Sequence, residues 1–164
     1  MKKFLLLCLF AVFSISCFAQ SSTMLTKDET ISYIKKKVEA INGEIVPTNS
    51  EGSERLKAVY FVAKEDLLEF SYTQKIHNDW TETVYFNPAL ITDINIWSCK
   101  KVVCGLNIFV KNGSAMHKSG ENKYRTQNVA IYFINDHPEN GNRIKKALLH
   151  LRDLYRAKED PFDN

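Results

Sequence analysis

The chain has 164 residues, and 22 basic against 19 acidic side chains give it a formal charge of +3. Without Lys2 and Lys3 of the amino-terminal segment, 20 basic and 19 acidic residues remain, a charge of +1. A nearly neutral, mixed surface argues against nucleic acid as a partner, because proteins that bind it carry a strong basic excess.

The first 19 residues have the order of a secretory signal peptide. Lys2 and Lys3 precede an apolar run from Phe4 to Phe13, and small residues follow it. The run is too short for a permanent membrane-spanning helix. We therefore expect cleavage after Ala19 and export of residues 20–164, to the periplasm or beyond, as one domain without a transmembrane segment. That length is enough for one hydrophobic core.

Lipidation at Cys17 is the alternative to simple cleavage. A lipoprotein signal usually has a leucine-like residue three positions before the cysteine, and here that position is Ser14. Cleavage without lipidation is therefore favoured.

An amphipathic helix is predicted over residues 26–43. Thr26 and Glu29 have the spacing of a capping box, and Gly43 is the expected stop. The apolar stripe at helical spacing consists of Ile31, Ile34, Val38 and Ile41. The following stretch, "VPTNSEGSER", is polar and lacks periodicity, which predicts a loop.

From Lys57 onward the apolar residues alternate, which predicts strands. Three strands joined by turns at "AKED" and "HND" reach the break at Pro88. Further strands are predicted in "NIW", "GLNIFVKN" and "NVAIYFIN", with a turn at "NG". The polar stretch Ser114–Gln127 predicts either one weak edge strand or a loop.

A second amphipathic helix closes the chain. Its apolar stripe consists of Ile144, Ala147, Leu148, Leu151, Leu154 and Tyr155. Leu149 points away from that stripe, a weak indication of a partner surface. Strands and helices do not alternate along the chain, so a parallel sheet is not expected. The sequence predicts an α+β fold with an amino-terminal helix, an antiparallel six- or seven-stranded meander or barrel, and a carboxy-terminal helix.

This element order resembles the pleckstrin-homology-like barrel, over residues of about 57–158. The leader end "FAQ", the two-cysteine segment and the closing "KKALLHLRDLYRAKEDPF" look like small uncharacterised secreted proteins of Bacteroidota. These resemblances imply a binding scaffold and no particular reaction, because a fold does not confer a function. Phosphoinositide binding is not carried over, because "AKEDLL" offers Lys64 only beside Glu65 and Asp66.

The usual catalytic and cofactor motifs are missing from the sequence. It contains no "GxSxG", "HExxH" or glycine-rich phosphate loop, so no cofactor is expected. The four histidines show no pairing at metal-ligand spacing, so no metal site is expected; they are His77, His117, His137 and His150. The candidate binding residues are Trp80 and Trp97, since each stands near a strand end beside polar residues.

Cys99 and Cys104, with four residues between them, could form a metal site, a redox site or a disulfide. A zinc site needs more ligands, a redox pair usually has two intervening residues, and export favours oxidation. We therefore predict a disulfide. In a simple hairpin, opposed cysteines would place Asn95 opposite Ile108, so either a bulge resets the register or the segment before Cys99 pairs elsewhere.

Two function classes follow from these patterns. The favoured one is a non-catalytic binding or interaction module for an unknown protein or small ligand in the cell envelope. The alternative is a small envelope hydrolase using dispersed histidine, aspartate and glutamate residues. A pocket that gathers a histidine with acidic residues would favour the hydrolase, and a shallow groove or an exposed aromatic patch would favour binding. The oligomeric state is left open.

Overall fold

The computed structural model describes residues 24–47, 53–76, 78–99 and 102–159. Within these ranges the chain forms two α-helices, nine strands and two short 3₁₀ turns. In chain order, the helices and strands are α1 (Lys27–Glu39), β1 (Ile45–Pro47), β2 (Ser53–Lys64), β3 (Leu67–Ile76), β4 (Asn78–Phe86), β5 (Ile91–Cys99), β6 (Val103–Val110), β7 (Ala115–Ser119), β8 (Asn122–Thr126), β9 (Asn128–Ile134) and α2 (Asn140–Glu159).

The strands divide between two antiparallel sheets. The larger sheet has the order β1-β2-β3-β4-β7-β8, and the smaller has the order β5-β6-β9. The chain therefore leaves the larger sheet after β4, builds the β5–β6 hairpin of the smaller sheet, and returns at β7. This architecture confirms the predicted α+β fold with a helix at each end of an antiparallel arrangement. The pleckstrin-homology-like relationship remains a prediction.

The structure has more strands than the six or seven expected, for two reasons. Both ends of the segment 46–55, expected to be a loop, form strand: Val46 and Pro47 lie in β1, which pairs with residues 53–55 at the start of β2. The polar stretch 114–127 forms the complete β7–β8 hairpin, and neither a single weak strand nor a loop. Most of β8 is exposed, so it carries no alternating apolar pattern that would reveal a strand. The turn before the hairpin was predicted correctly, since Asn112 and Gly113 both have positive φ.

One hydrophobic core joins the two sheets and the two helices. Helix α1 packs on β2, β9 and α2, and α2 also packs on β5, β6 and the 3₁₀ turn Pro88–Leu90. Among the largest fully buried side chains of the core are Tyr155, Phe61, Phe70, Phe86 and Phe133. Leu149 also packs against this core and is partly buried. The prediction that it faces away was wrong, because α2 buries a wider face than its main stripe.

The register between β5 and β6 contains a bulge near the cysteines, which is one of the two alternatives that the sequence left open. Ile96 lies opposite Leu106, but Ser98 lies opposite Gly105, so β5 contains one extra residue at Trp97. The bulge leaves Ile94 opposite Ile108, with both side chains fully buried. The alternative, in which this segment pairs elsewhere, was wrong.

Beyond the bulge, Cys99 lies directly opposite Cys104. Directly opposed residues of an antiparallel pair share a face and lie within reach of each other. The side chain of Cys99 lies outside the described residues, so the disulfide remains a prediction that this register supports.

We expect the protein to contain a Cys99–Cys104 disulfide when it is purified from an oxidising compartment. Its thiols should resist alkylation in denaturant until a reductant is added, and intact mass spectrometry should then show two alkylated cysteines. Because the loop is short, reduction should lower the free energy of unfolding by only about 2 kcal/mol. Alkylation of both cysteines without reductant would contradict the prediction.

The start of α1 is stabilised by the predicted capping box. The Thr26 hydroxyl accepts a hydrogen bond from the backbone N–H of Glu29, and the Glu29 carboxylate accepts one at 2.8 Å from the backbone N–H of Thr26.

Thr26→Ala should lower the free energy of unfolding by about 1 kcal/mol, measured by urea denaturation. Thr26→Ser, which retains the hydroxyl, should remain close to the wild-type value. An equal loss in both variants would show that the cap is not the cause.

Candidate functional site

One face of the larger sheet begins in the core and ends in polar and aromatic side chains at the surface. On β4, alternate residues share this face. Phe86 and Val84 are buried, and Glu82 and Trp80 continue the face toward the start of the strand. Glu82 is only 9% exposed, whereas Trp80 is 43% exposed.

Strands β7 and β8 extend this face sideways. His117 of β7 lies opposite Val84, and Ser119 lies opposite Glu82. Tyr124 of β8 lies opposite His117 and is 49% exposed. The resulting cluster is called the Trp80–Tyr124 patch, and its members are Trp80, Glu82, His117, Ser119 and Tyr124.

Two hydrogen-bonded arms connect the exposed rings of the patch to the Glu82 carboxylate. In one arm the indole Nε1 of Trp80 donates to Ser119 Oγ at 2.7 Å, and Ser119 donates to Oε1 of Glu82 at 2.6 Å. In the other, the Tyr124 hydroxyl lies 2.5 Å from Nδ1 of His117, and Nε2 of His117 lies 2.5 Å from Oε2 of Glu82.

The chemistry of these groups fixes the direction of each hydrogen bond. A carboxylate can only accept, so Nε2 of His117 carries a hydrogen and donates to Glu82. In the tautomer that carries its hydrogen on Nε2, the imidazole accepts at Nδ1, so Tyr124 donates to it. Both arms therefore run from an exposed aromatic ring to one nearly buried carboxylate.

The electrostatic environment keeps Tyr124 protonated. Burial of its hydroxyl raises the pKa of Tyr124 above its ordinary value, and the charge of Glu82 raises it further. The rings of His117 and Tyr124 also pack against each other, with centroids 4.8 Å apart. The phenol is therefore held as a hydrogen-bond donor with part of its ring exposed to solvent.

Gly120, in the turn between β7 and β8, lies against the Trp80 ring. Its φ is +57°, and a Cβ atom there would lie 3.1 Å from Cζ2 of Trp80. The backbone N–H of Gly120 donates to the carbonyl of Thr81 at 3.3 Å. The absence of a side chain lets the turn lie close to the indole, which is also held by its bond to Ser119.

The structure brings together some of the residues considered from the sequence. Trp80 belongs to the patch, and His117 lies on β7 and not in a polar loop. The side chain of Trp97 and the whole of His77 lie outside the described residues. His137 and His150 lie elsewhere: Nδ1 of His137 accepts from the backbone N–H of Glu139, and His150 contacts the carbonyl of Leu25. These three described histidines are dispersed.

Sequence reasoning missed Glu82, Ser119 and Tyr124. Residues two positions apart on a strand share a face, as Trp80 and Glu82 do, and likewise His117 and Ser119. This spacing was the only feature of the sequence that could have indicated the patch. The pairing of β4 with β7 brings the two strands together across the intervening β5–β6 hairpin, and nothing local in the sequence indicates it.

The described ranges contain neither a cluster of metal-ligating side chains nor a helix suited to cross a membrane. No three histidine, cysteine, aspartate or glutamate side chains in those ranges are placed to hold a metal ion. None of the helices described there has the length and apolar character needed to cross a membrane.

Comparisons with protein-family models, with curated proteins and with solved structures found no match for this chain.

Glu82→Gln tests whether the carboxylate holds both arms. An amide has one oxygen and one NH₂ group, so it cannot accept from His117 and Ser119 as the carboxylate does. We expect the free energy of unfolding to fall by about 1–3 kcal/mol, measured by urea denaturation. Glu121→Gln makes the same change at an exposed position in the turn between β7 and β8 and should have little effect. Equal stability of the two variants would contradict this role for Glu82.

Proposed function

We propose that this protein is an exported, non-catalytic binding module that recognises its ligand through the Trp80–Tyr124 patch. The observation that carries the proposal is the fixation of two exposed aromatic rings through hydrogen bonds to one buried carboxylate. Trp80 and Tyr124 offer a large contact area, and their restraint reduces the entropy lost on binding. Aromatic side chains held in this way are the usual anchors of recognition surfaces. Export of residues 20–164, without lipidation at Cys17, is part of this proposal.

The chemistry of the patch favours a saccharide in the cell envelope as the ligand. A sugar ring has an apolar C–H face, which can stack on an exposed indole or phenol, and a rim of hydroxyl groups. Ser119, His117 and the Tyr124 hydroxyl provide polar atoms beside the rings. The partly exposed rings lie on a sheet surface, where an extended chain of sugar units can lie across them.

The hydrolase remains the second candidate because of one specific contact. Hydrogen bonds connect Glu82 to His117 and His117 to Tyr124. The carboxylate, imidazole and hydroxyl therefore follow one another in the order used to activate a nucleophile. The raised pKa of Tyr124 weighs against it, because a nucleophilic phenol must lose its proton. If the hydrolase is correct, Tyr124→Phe should abolish hydrolysis of simple nitrophenyl esters and glycosides, whereas the binding module should show no such activity in the wild type.

Affinity electrophoresis tests the binding module directly. The exported protein should be retarded in native gels that contain a neutral β-glucan or soluble peptidoglycan fragments. Trp80→Ala should weaken the apparent affinity by roughly 30-fold, the effect of losing a central aromatic anchor. Tyr60→Ala is the matched control, since Tyr60 is an aromatic residue of β2 that is 57% exposed and lies outside the patch.

A pair of glycine variants separates ring position from backbone strain. Gly120→Ala should weaken binding, because the added methyl group displaces Trp80. Gly113→Ala imposes similar strain at φ +61°, but its nearest neighbour is Gln127 at 3.7 Å, so binding should be retained. If the patch captures an envelope protein through its aromatic rings and binds no saccharide, the ligand is a protein and not a saccharide. If Trp80→Ala retains wild-type affinity for every probe, the proposal is wrong.

A further inference from the structure

A second surface lies between the two helices, away from the Trp80–Tyr124 patch. It is an open groove of about 470 Å³ between the segment that leads into α1 and the first half of α2. Its walls are mainly apolar and include Met24, Leu25, Tyr33 and Ala147. Met24 and Leu25 are 82% and 47% exposed. The volume lies within the range of small-molecule sites, roughly 300–1,000 Å³.

His150 fixes one wall of the groove. Its Nε2 atom lies 2.6 Å from the backbone carbonyl of Leu25, so the imidazole donates a hydrogen bond to the segment before α1. This bond connects Leu25 to α2, and both lie on the groove. The apolar walls are therefore held together by a specific contact.

Two cations give the groove a positive charge. Arg143 and Lys146 both line it and lie three residues apart on α2, so they are neighbours on the helix surface. Among the described residues, neither side chain makes a salt bridge. Lys37 of α1, in contrast, is paired with Asp136 at 2.9 Å. The groove thus combines apolar walls with two cations that have no acidic partner there.

We infer that this groove binds a fatty acid. The carboxylate pairs with Arg143 and Lys146, and the hydrocarbon chain lies against Met24, Leu25 and Tyr33. An anion with an apolar tail matches both properties of the groove, whereas a free inorganic anion would leave the apolar walls exposed. This site shares no residue with the Trp80–Tyr124 patch, so the inference does not depend on the proposed function.

Isothermal titration with octanoate, decanoate and dodecanoate, each below its micelle concentration, tests the inference on the exported protein. Affinity should rise by about fourfold for each methylene group that enters the groove. The methyl ester of dodecanoate should bind at least roughly tenfold more weakly than the acid, because it cannot form charge-assisted bonds. No binding of dodecanoate, or equal binding of acid and ester, would overturn the inference.

Variants locate the site and separate it from the patch. Arg143→Ala combined with Lys146→Ala should weaken dodecanoate binding by roughly tenfold or more, whereas Lys145→Ala, on the same helix, should not. Trp80→Ala should also leave dodecanoate binding unchanged, so the proposal for the groove and the proposal for the patch are tested separately. Unchanged affinity in the double variant would overturn the inference. Absence of fatty-acid binding in a protein whose intact mass still includes the apolar residues 1–19 would also overturn the inference. In that case the apolar leader would be the better candidate occupant of the groove.

Discussion

One nearly buried carboxylate reinforces the pairing of β4 with β7 in the larger sheet. A charged group removed from water must be paired or hydrogen-bonded. Glu82 satisfies this requirement with side chains of β7, namely His117 and Ser119. These bonds therefore join β4 to β7, the pairing by which the chain returns to the larger sheet after the β5–β6 hairpin. The same bonds extend to Trp80 and Tyr124, so the fixation of the exposed rings is a direct result of satisfying a buried charge.

The fold separates the two proposed binding surfaces onto different elements. The patch lies on the end of the larger sheet, and the groove lies between the helices that cover the core. Helix α1 contributes to both the core and the groove, since Ile34 and Val38 are fully buried while Tyr33 lines the groove. One amphipathic helix thus serves stability on one face and a surface on the other, which is possible because successive helical residues point in different directions.

Local patterns predicted the parts of the fold that local interactions determine. The capping box of α1 and the alternation of apolar residues after Lys57 are contained within a few residues. The structure agrees with both, since Leu68, Phe70 and Tyr72 are buried along β3. Even the bulge near Cys99 followed from a local conflict, the polar Asn95 facing an apolar strand. The β7–β8 hairpin was missed because most of β8 is exposed. The site was missed because its carboxylate and its imidazole lie on strands that pair only in the folded chain.

The edges of the larger sheet bear on how this protein behaves when it is concentrated. Exposed edge strands can pair with those of other molecules and begin aggregation. At one end of the sheet, β1 has only three residues and its last, Pro47, lacks a backbone N–H. At the other end, β8 carries Lys123 and Arg125, whose charges disfavour the approach of a second β8. Edge-to-edge growth of the larger sheet is therefore discouraged at both of its ends.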